Sequence, residues 1–426
     1  MRFDRDLNLA EIPGQLSQKK ELMIKIGILR EGKAPPDKRV TFTPGQCKFI
    51  KESIPGVDVI VQPSPYRCFS DNDYKTLGVE VVEDLSGCDV LMGVKEVNIP
   101  DLIPGKTYFF FSHTIKKQPY NRELLRALVK SRIRMVDYEV LTDKHGNRII
   151  GFGRFAGIVG AYNGLRAIGL KRGLYSLKPA YLCRNMEEMV AELSAVKLPP
   201  VSIAVTGGGR VAGGVVELFQ RLGLEGVTPE QFVTLDEINE PVYVRLDPAD
   251  YNRHRDGKTF DYSHFYSRPT EYEGTFHRFL PATDMLIGAA YWDPSAPVLF
   301  SLEDTRRTDF RISVIADITC DIDGSIPTTR RATTIDDPFY DYDPLTGQLK
   351  DAFSKTDNIT VMAVDNLPCE LPVDASADFG MNLIDKVLNP LVGNDPDDII
   401  GRASITAGGK LTTKFSYLQD FLDGLE

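Results

Sequence analysis

Val201-Ser202-Ile203-Ala204-Val205-Thr206-Gly207-Gly208-Gly209-Arg210-Val211-Ala212-Gly213-Gly214 decides how this chain folds. Its apolar, β-branched start reads as a buried strand. The following Val215-Val216-Glu217-Leu218-Phe219-Gln220-Arg221-Leu222 carries helical spacing. Strand, glycine turn and helix form the context in which G-x-G-x-x-G/A binds a dinucleotide. Gly207 permits the sharp turn, Gly208 completes the triplet, and Gly209 lets the backbone approach a pyrophosphate. Arg210 and Val211 open the helix, whose first free N–H groups face phosphate. Ala212 or Gly213 keeps that helix close to the sheet. The competing reading of three adjacent glycines is a plain tight turn. The acid expected about 20 residues further on is not clean. Asp236 and Glu237 lie near that distance, in a segment that reads as loop or strand end, so NAD and NADP both stay open as cofactors.

Nearly half the chain precedes this motif. At 426 residues it exceeds what one compact core serves well, which implies two domains. Sixty acidic against 50 basic residues leave a net charge of −10, which argues against nucleic acid as a partner. A polyanionic ligand would need a local nest of Arg and Lys. No apolar run approaches the roughly 20 residues of a membrane span, and Met1 to Lys20 lacks the apolar core of a signal peptide. Cys47, Cys68, Cys88, Cys183, Cys320 and Cys369 show no C-x-x-C spacing and suit free thiols in a reducing cytoplasm. His254, His264 and His277 crowd one region, among charges and tyrosines that look like a solvated loop, and no metal site is expected.

The first half alternates strands and helices. Strands are read at Met23–Leu29, Val57–Val61, Asp89–Val94, Thr107–Phe111 and Arg132–Val136. Helices are read at Pro44–Glu52 behind Thr43 as N-cap, from Ser70 toward Leu77, and at Pro119–Lys130. This order implies a parallel sheet covered by helices. Asp143-Lys144-His145-Gly146-Asn147-Arg148 reads as a hairpin turn. Ala156 to Leu170, small and apolar nearly all round, reads as a buried helix bridging two domains. Beyond the glycine turn, Met285–Tyr291 and Ile312–Asp317 read as the strands that close the second sheet. Residues 240–280 look like an inserted surface segment, and Asp374 to Leu425 is expected to pack back on the first domain.

Lys95 and His113 each end a strand. Carboxyl ends of parallel strands share the edge where ligands bind, so the two make an acid/base pair, or else a surface lysine paired to Glu96 and a hydrogen-bonded strand-end histidine. Arg39 and Arg148 lie in loops of the same half, where guanidinium forks bind carboxylates or simply meet solvent. Tyr291-Trp292-Asp293-Pro294 and Asp317-Ile318-Thr319-Cys320-Asp321 follow strands and either cap a nicotinamide pocket or only turn the chain. Asp365-Asn366-Leu367-Pro368 reads as a turn.

Several ordered blocks carry a resemblance. They are Arg39-Val40-Thr41-Phe42-Thr43-Pro44, Gly93-Val94-Lys95-Glu96, Phe111-Ser112-His113-Thr114-Ile115-Lys116, Val136-Asp137-Tyr138-Glu139 and Gly151-Phe152-Gly153-Arg154-Phe155-Ala156-Gly157. Asp317 to Ile326, Thr333 to Phe339 and Asp365 to Pro372 continue it. From about Ile26 onward the chain resembles the alanine dehydrogenase/transhydrogenase superfamily. More closely, it is similar to the lysine-forming saccharopine dehydrogenases and the lysine–ketoglutarate reductase half of bifunctional lysine-degrading enzymes. The resemblance implies an α/β fold of two Rossmann-like domains with parallel sheets flanked by helices and an active-site cleft between them. The expected division is 1–155 plus about 370–426 for substrate and catalysis, and 156–369 for the dinucleotide.

It also implies Lys95 as base, His113 as acid, and substrate contacts at Arg39, Arg148, Phe152 and Gln118. Tyr291, Asp317, Ile318, Thr319, Asp365 and Asn366 join Gly207 to Gly213 on the cofactor side. The implied reaction interconverts saccharopine with lysine and 2-oxoglutarate, using NAD or NADP. The alternatives are an alanine or other amino-acid dehydrogenase and a non-catalytic NAD(P)-binding regulator. A homo-oligomer is compatible with either.

Overall fold

The computed structural model describes residues 23–32 and 36–425. The leader region read as lacking a signal core lies outside them. Among the described residues, no helix is long and apolar enough to cross a membrane.

Two eight-stranded, mostly parallel sheets organise the chain, each flanked by helices. The strands of the first half are β1 (Ile24–Ile28), β2 (Val57–Val61), β3 (Glu80–Val81), β4 (Val90–Met92), β5 (Thr107–Phe110) and β6 (Arg134–Asp137). The glycine-motif half contributes β7 (Ser202–Thr206), β8 (Glu225–Val227), β9 (Val242–Leu246), β10 (Asn252–His254), β11 (Tyr272–Gly274), β12 (Met285–Gly288), β13 (Val314–Asp317), β14 (Phe339–Tyr342), β15 (Leu349–Lys350) and β16 (Ile359–Met362). The tail adds β17 (Ser404–Ala407) and β18 (Lys410–Leu411). The first sheet runs β18-β17-β6-β5-β4-β1-β2-β3, with β17 antiparallel to β6. The second runs β15-β14-β16-β13-β12-β7-β9-β8, with β14 antiparallel to β16. β10 and β11 form a separate antiparallel pair.

Local chemistry explains several elements. Helix α1 (Pro44–Ser53) starts with a complete capping box: Thr43 Oγ1 accepts from Gln46 N, and Gln46 Oε1 accepts from Thr43 N. α2 (Asp71–Thr76) repeats the device with Ser70 and Asp73. α3 (Arg122–Lys130) buries Leu124, Leu125 and Leu128 on one face. The turn at Asp143–Arg148 forms as read, with Gly146 at φ +83° and a Thr142–Arg148 bridge.

Two readings need correction. The segment 240–280 is not all surface insertion. Val242–Leu246 is a mostly buried strand, paired parallel to β7 and β8, and Phe276, Phe279 and Leu280 enter the core. The second sheet also does not close at Asp317, because β14, β15 and β16 extend it. The tail packs on the first half as expected. Phe379 and Leu383 of the helix Pro372–Leu383 join the core of β1, β2 and β4.

α4 (Gly153–Arg172) is buried along most of its length, for a steric reason. Its Gly157, Gly160 and Gly164 share one face. A Cβ at Gly157 would collide with the Val211 carbonyl, one at Gly160 with Ile318, and one at Gly164 would press on Ala316 and Met285. α6 (Arg210–Arg221) answers with Gly214, where a Cβ would strike the Arg154 carbonyl. The approach of α6 to α4 therefore rests on Gly214, whereas of Ala212 and Gly213 it is the fully buried Ala212 that faces the core and Gly213 that faces open space.

Asn163 of α4 also donates to the buried Glu370 at 2.9 Å. Burial pushes the Glu370 carboxyl up to about 8. A raised carboxyl stabilises the fold below its unfolded value, and that contribution is lost as pH rises through about 8. Glu370→Gln should therefore change stability little at pH 5, and should reduce the decline between pH 5 and 8. Urea unfolding of both proteins at the two pH values checks this, and an unchanged slope counts against it.

Candidate active site

β4 and β5 deliver the acid/base candidates side by side. Phe111 N donates to Val94 O at 3.0 Å, so the chain at Lys95 runs next to Ser112 and His113. Glu31, which sequence reasoning missed, holds this ledge: its carboxylate accepts from Val94 N at 2.7 Å and Lys95 N at 2.8 Å. Burial, reinforced by nearby Asp37, pushes Glu31 up to about 7. The buried Asp137 accepts from Ser112 N at 3.0 Å and Glu139 N at 2.7 Å, fixing the turn that presents His113. Burial raises this carboxyl as well.

His113 takes a left-handed backbone, φ +52°, a conformation that costs a non-glycine residue about 1–3 kcal/mol and persists where surroundings impose it. Its Nδ1 lies 2.7 Å from Glu96 Oε1. Glu96 thus partners His113 rather than serving only as a surface mate for Lys95. A carboxylate at Nδ1 keeps the proton there, leaves Nε2 as the basic atom, and stabilises the imidazolium once it forms. Among the described residues Nε2 has no protein partner.

Aromatic rings tie the substrate candidates together. Phe111 lies 6.5 Å from the His113 ring and 6.1 Å from Phe152, and Phe152 stacks on Phe379 at 4.3 Å. The Arg39 guanidinium sits 4.1 Å over Phe152, and that of Arg148 lies 5.5 Å over Phe111. The two arginines nevertheless differ. Arg39 is buried, and Asp37 fills one edge of its fork, with Nε at 2.9 Å and Nη2 at 2.6 Å. Burial alone would raise Asp37, but the Arg39 charge and hydrogen bonds outweigh it and hold the carboxyl below the usual range. Arg148 donates Nε to Ile150 O at 3.1 Å and has no carboxylate within 4 Å among the described residues. Gln118 is exposed in the turn after His113.

On the cofactor side, β7 ends in a turn with Gly207 at φ +107°, and α6 starts at Arg210. A Cβ at Gly207 would press on the Ala289 carbonyl, whereas Gly209 meets nothing within 4 Å and leaves the helix N-terminus approachable. This open turn fits a pyrophosphate. An acid that the spacing did not single out, Asp247, stands just after β9, so close to the turn that a Cβ at Gly208 would hit its Oδ1. It was missed because β9 had been read as part of an insertion, which placed the search too early in the chain.

Asp317 is buried, and its carboxylate accepts from Thr319 and Thr329 hydroxyls at 2.6 Å, so it holds its loop rather than offering oxygens outward. Burial pushes it to about 6. Ile318 packs on Gly160. Tyr291 and Asp365 are exposed, and the Asn366 carbonyl accepts from Cys369 N at 3.0 Å. Tyr291 borders an aromatic cavity shared with Tyr251, Phe265, Tyr266 and Trp292. The Arg210 guanidinium, at the start of α6, donates to Ile150 O at 3.1 Å.

The histidine region is not a solvated loop. His254 is buried, and the Nε2 atoms of His254 and His264 each lie 3.5 Å from Glu271 Oε2. His254 Nδ1 accepts the Asp256 N–H at 3.1 Å, and His254, His264 and Glu271 bring one ligand-capable atom each within 4.8 Å of one another. His277 is exposed and outside this cluster.

Because Asp37 is buried with Arg39 as its only ion-pair partner among the described residues, Arg39→Ala should strand its charge. Stranding a buried charge costs about 3–5 kcal/mol. The variant should melt well below wild type, while Arg148→Ala, which leaves no such orphan, should melt close to it. Equal melting temperatures for Arg39→Ala and wild type would place the pair outside the fold's support.

Comparison with known proteins is consistent with this geometry. Residues 27–159 match the family described as alanine dehydrogenase/PNT, N-terminal domain. Alpha-aminoadipic semialdehyde synthase of Arabidopsis thaliana is 30% identical over 92% of this chain and 41% of its own length. The mitochondrial synthase of Mus musculus is 29% identical over 92% and 47%. The chain thus spans less than half the length of these two relatives. Saccharopine dehydrogenase [NAD(+), L-lysine-forming] of Yarrowia lipolytica is 22% identical over 84% of this chain and 90% of its own. Among solved structures, an L-alanine dehydrogenase superposes with a TM-score of 0.61 at 18% identity, covering 95% of this chain and all of its own, which speaks to fold. The first part of the chain thus matches the alanine dehydrogenase/PNT family, and over most of its length the chain is similar to the alpha-aminoadipic semialdehyde synthases and the lysine-forming saccharopine dehydrogenases.

Proposed function

We propose that the chain is an oxidoreductase that interconverts saccharopine with lysine and 2-oxoglutarate. The observation that carries this reading is the His113–Glu96 pair beside Lys95, one aromatic ring away from Arg148, which has no carboxylate within 4 Å among the described residues. The relatives' names supply the substrate class.

Bound at the Gly207–Gly209 turn, a nicotinamide dinucleotide would supply hydride chemistry. Around it, Lys95 in its neutral form takes the proton of the substrate's secondary amine. Loss of hydride from the adjoining carbon leaves an imine. His113 Nε2 draws a proton from the water that adds to the imine carbon while Lys95 gives its proton to the imine nitrogen; the carbinolamine then collapses, His113 passing its proton to nitrogen and Lys95 taking the hydroxyl proton, which frees lysine and 2-oxoglutarate. Glu96 steadies the imidazolium at the midpoint. Three substrate carboxylates call for cations, and Arg148 is placed to meet one. An alanine-type dehydrogenase needs only one carboxylate contact, and turnover separates the two. The protein should oxidise NADH with lysine plus 2-oxoglutarate and not with pyruvate plus ammonia. The reverse preference sinks this reading.

General acid–base help is worth about 10²–10⁴-fold. Lys95→Met and His113→Gln should each lower kcat within that range, leave NADH affinity near normal, and remove one limb of the pH–rate profile. Full activity in either variant removes that residue from the proton path.

We further propose NAD rather than NADP as cofactor. Asp247 ends the strand next to β7 and lies against Gly208, where a carboxylate accepts ribose hydroxyls and repels a 2′-phosphate. Arg245 lies 3.7 Å from it and is tied to that carboxylate. Asp247→Ser should weaken NADH binding by about 10- to 100-fold and improve NADPH binding. Titration by nucleotide fluorescence checks both, and unchanged discrimination rejects the assignment.

A further inference from the structure

Arg148 and Arg210 come from opposite sides of the α4/α6 crossing and meet at one atom. Arg148 Nε and Arg210 Nη2 both donate to the Ile150 carbonyl, each at 3.1 Å. Gly151 lies between them, with φ +152°. A Cβ there would sit 3.6 Å from Arg148 Nε, Arg148 Nη2 and Arg210 Nη2. Lys386 Nζ donates to the neighbouring Ile149 carbonyl at 3.2 Å and lines the same cavity. Asp143 and Asp397 also line it, but no carboxylate lies within 4 Å of either guanidinium among the described residues. Burial lowers the pKa of Arg148; burial and then the Arg148 charge lower that of Arg210.

Two like charges gathered on a single carbonyl, with no carboxylate within 4 Å among the described residues and only the more distant Glu139, Asp137 and Asp378 offsetting them, form an arrangement that an anion would relieve. Each fork has spent one donor on Ile150 and keeps N–H groups for a planar, bidentate acceptor. Two other arginines of the region show the contrast. Arg39 is closed by Asp37, and Arg154 by Glu217 and Asp378.

We propose that Arg148 and Arg210 jointly bind one carboxylate of the substrate, so that Arg210, although it lies in the glycine turn, reads substrate rather than cofactor. This rests on the reading of the chain as an enzyme of 2-oxo and amino dicarboxylic acids. The ligand class is a dicarboxylate such as 2-oxoglutarate, or the corresponding end of saccharopine. A carboxylate held by both forks also ties the first-half loop to the nucleotide-binding turn. Substrate should therefore bind best once that turn is occupied.

The test is binding, not turnover. 2-Oxoglutarate is titrated by calorimetry into the protein saturated with NADH, and NADH is titrated separately by fluorescence. Arg210→Ala should weaken 2-oxoglutarate about 10- to 100-fold and leave the NADH Kd within about twofold. Arg210→Lys, which keeps charge but loses the fork, should fall between wild type and Arg210→Ala. Loss of NADH affinity with 2-oxoglutarate unaffected would return Arg210 to the cofactor and overturn the proposal. So would a variant unchanged in both titrations, since Arg210 would then only prop the Ile150 loop. If the wild type binds pyruvate and not 2-oxoglutarate, the dicarboxylate reading fails. The same comparison made with pyruvate then decides the shared fork.

Discussion

The molecule depends on one steric constraint: α4 and α6 cross at Gly157 and Gly214, backbone against backbone. Each glycine faces a carbonyl of the other helix, Val211 or Arg154, and a Cβ at either would force them apart. Once that crossing is fixed, the residues just before α4 must lie beside the start of α6. Gly151 and Phe152 then reach Arg210, and Arg154 reaches Glu217 on α6 and Asp378 on the C-terminal helix, at 2.6 and 2.7 Å. Phe152 packs against both major cores and holds the junction from the apolar side. The crossing thus sets the relation between the glycine turn and the loop carrying Arg148, and with it the chemistry available between the two sheets.

Electrostatics refine what packing sets up. Glu31, Asp137 and Asp317 are buried carboxyls whose pKa values rise, and each accepts backbone N–H groups that fix a strand end. Their oxygens are used for positioning. Asp37 goes the other way, because a full charge from Arg39 meets it inside. Buried carboxyls lock loops and a buried pair closes one arginine, whereas no carboxylate lies within 4 Å of Arg148 or Arg210 among the described residues. Charge alone would not separate these groups, but the partner at each fork does.

Local patterns made much of the fold legible. β2 matches its expected bounds, and α1 starts at Pro44 behind Thr43, because a β-branched run and a capping box act within a few residues. The strand–turn–helix at Val201 to Leu222 was legible for the same reason. β9 was not, although Val242-Tyr243-Val244-Arg245-Leu246 has strand chemistry. The polar stretches on both sides make the region look like surface, and only pairing with β7 reveals it as interior. Asp247 was lost with it. Glu31, Asp37 and Glu96 were missed differently. Glu31 acts on residues more than 60 positions away, and nothing in Gly27-Ile28-Leu29-Arg30-Glu31 records that. His254 reads as exposed among Tyr, Arg and Asp, yet it is buried against Tyr272 by the β10–β11 pairing.

Arg39 shows why residue type and loop position do not suffice to assign a binding group. Arg39 and Arg148 look alike in sequence: both lie in loops near the strand-end edge, and both stack on a phenylalanine of one aromatic cluster. The difference is an aspartate two residues away from Arg39, folded back to close its fork, against a glycine three residues after Arg148 that keeps the space beside it clear. An internal carboxylate fixes a guanidinium's orientation at the expense of an open edge. An unpartnered guanidinium keeps its edge open and must be held by other means, here a carbonyl and an aromatic face. In a chain with net charge −10, carboxylates are abundant and would quench most cations. A guanidinium open to an anion therefore needs the chain's own acids kept at a distance, and at Arg148 and Arg210 both forks meet one backbone carbonyl, that of Ile150, with no carboxylate within 4 Å among the described residues.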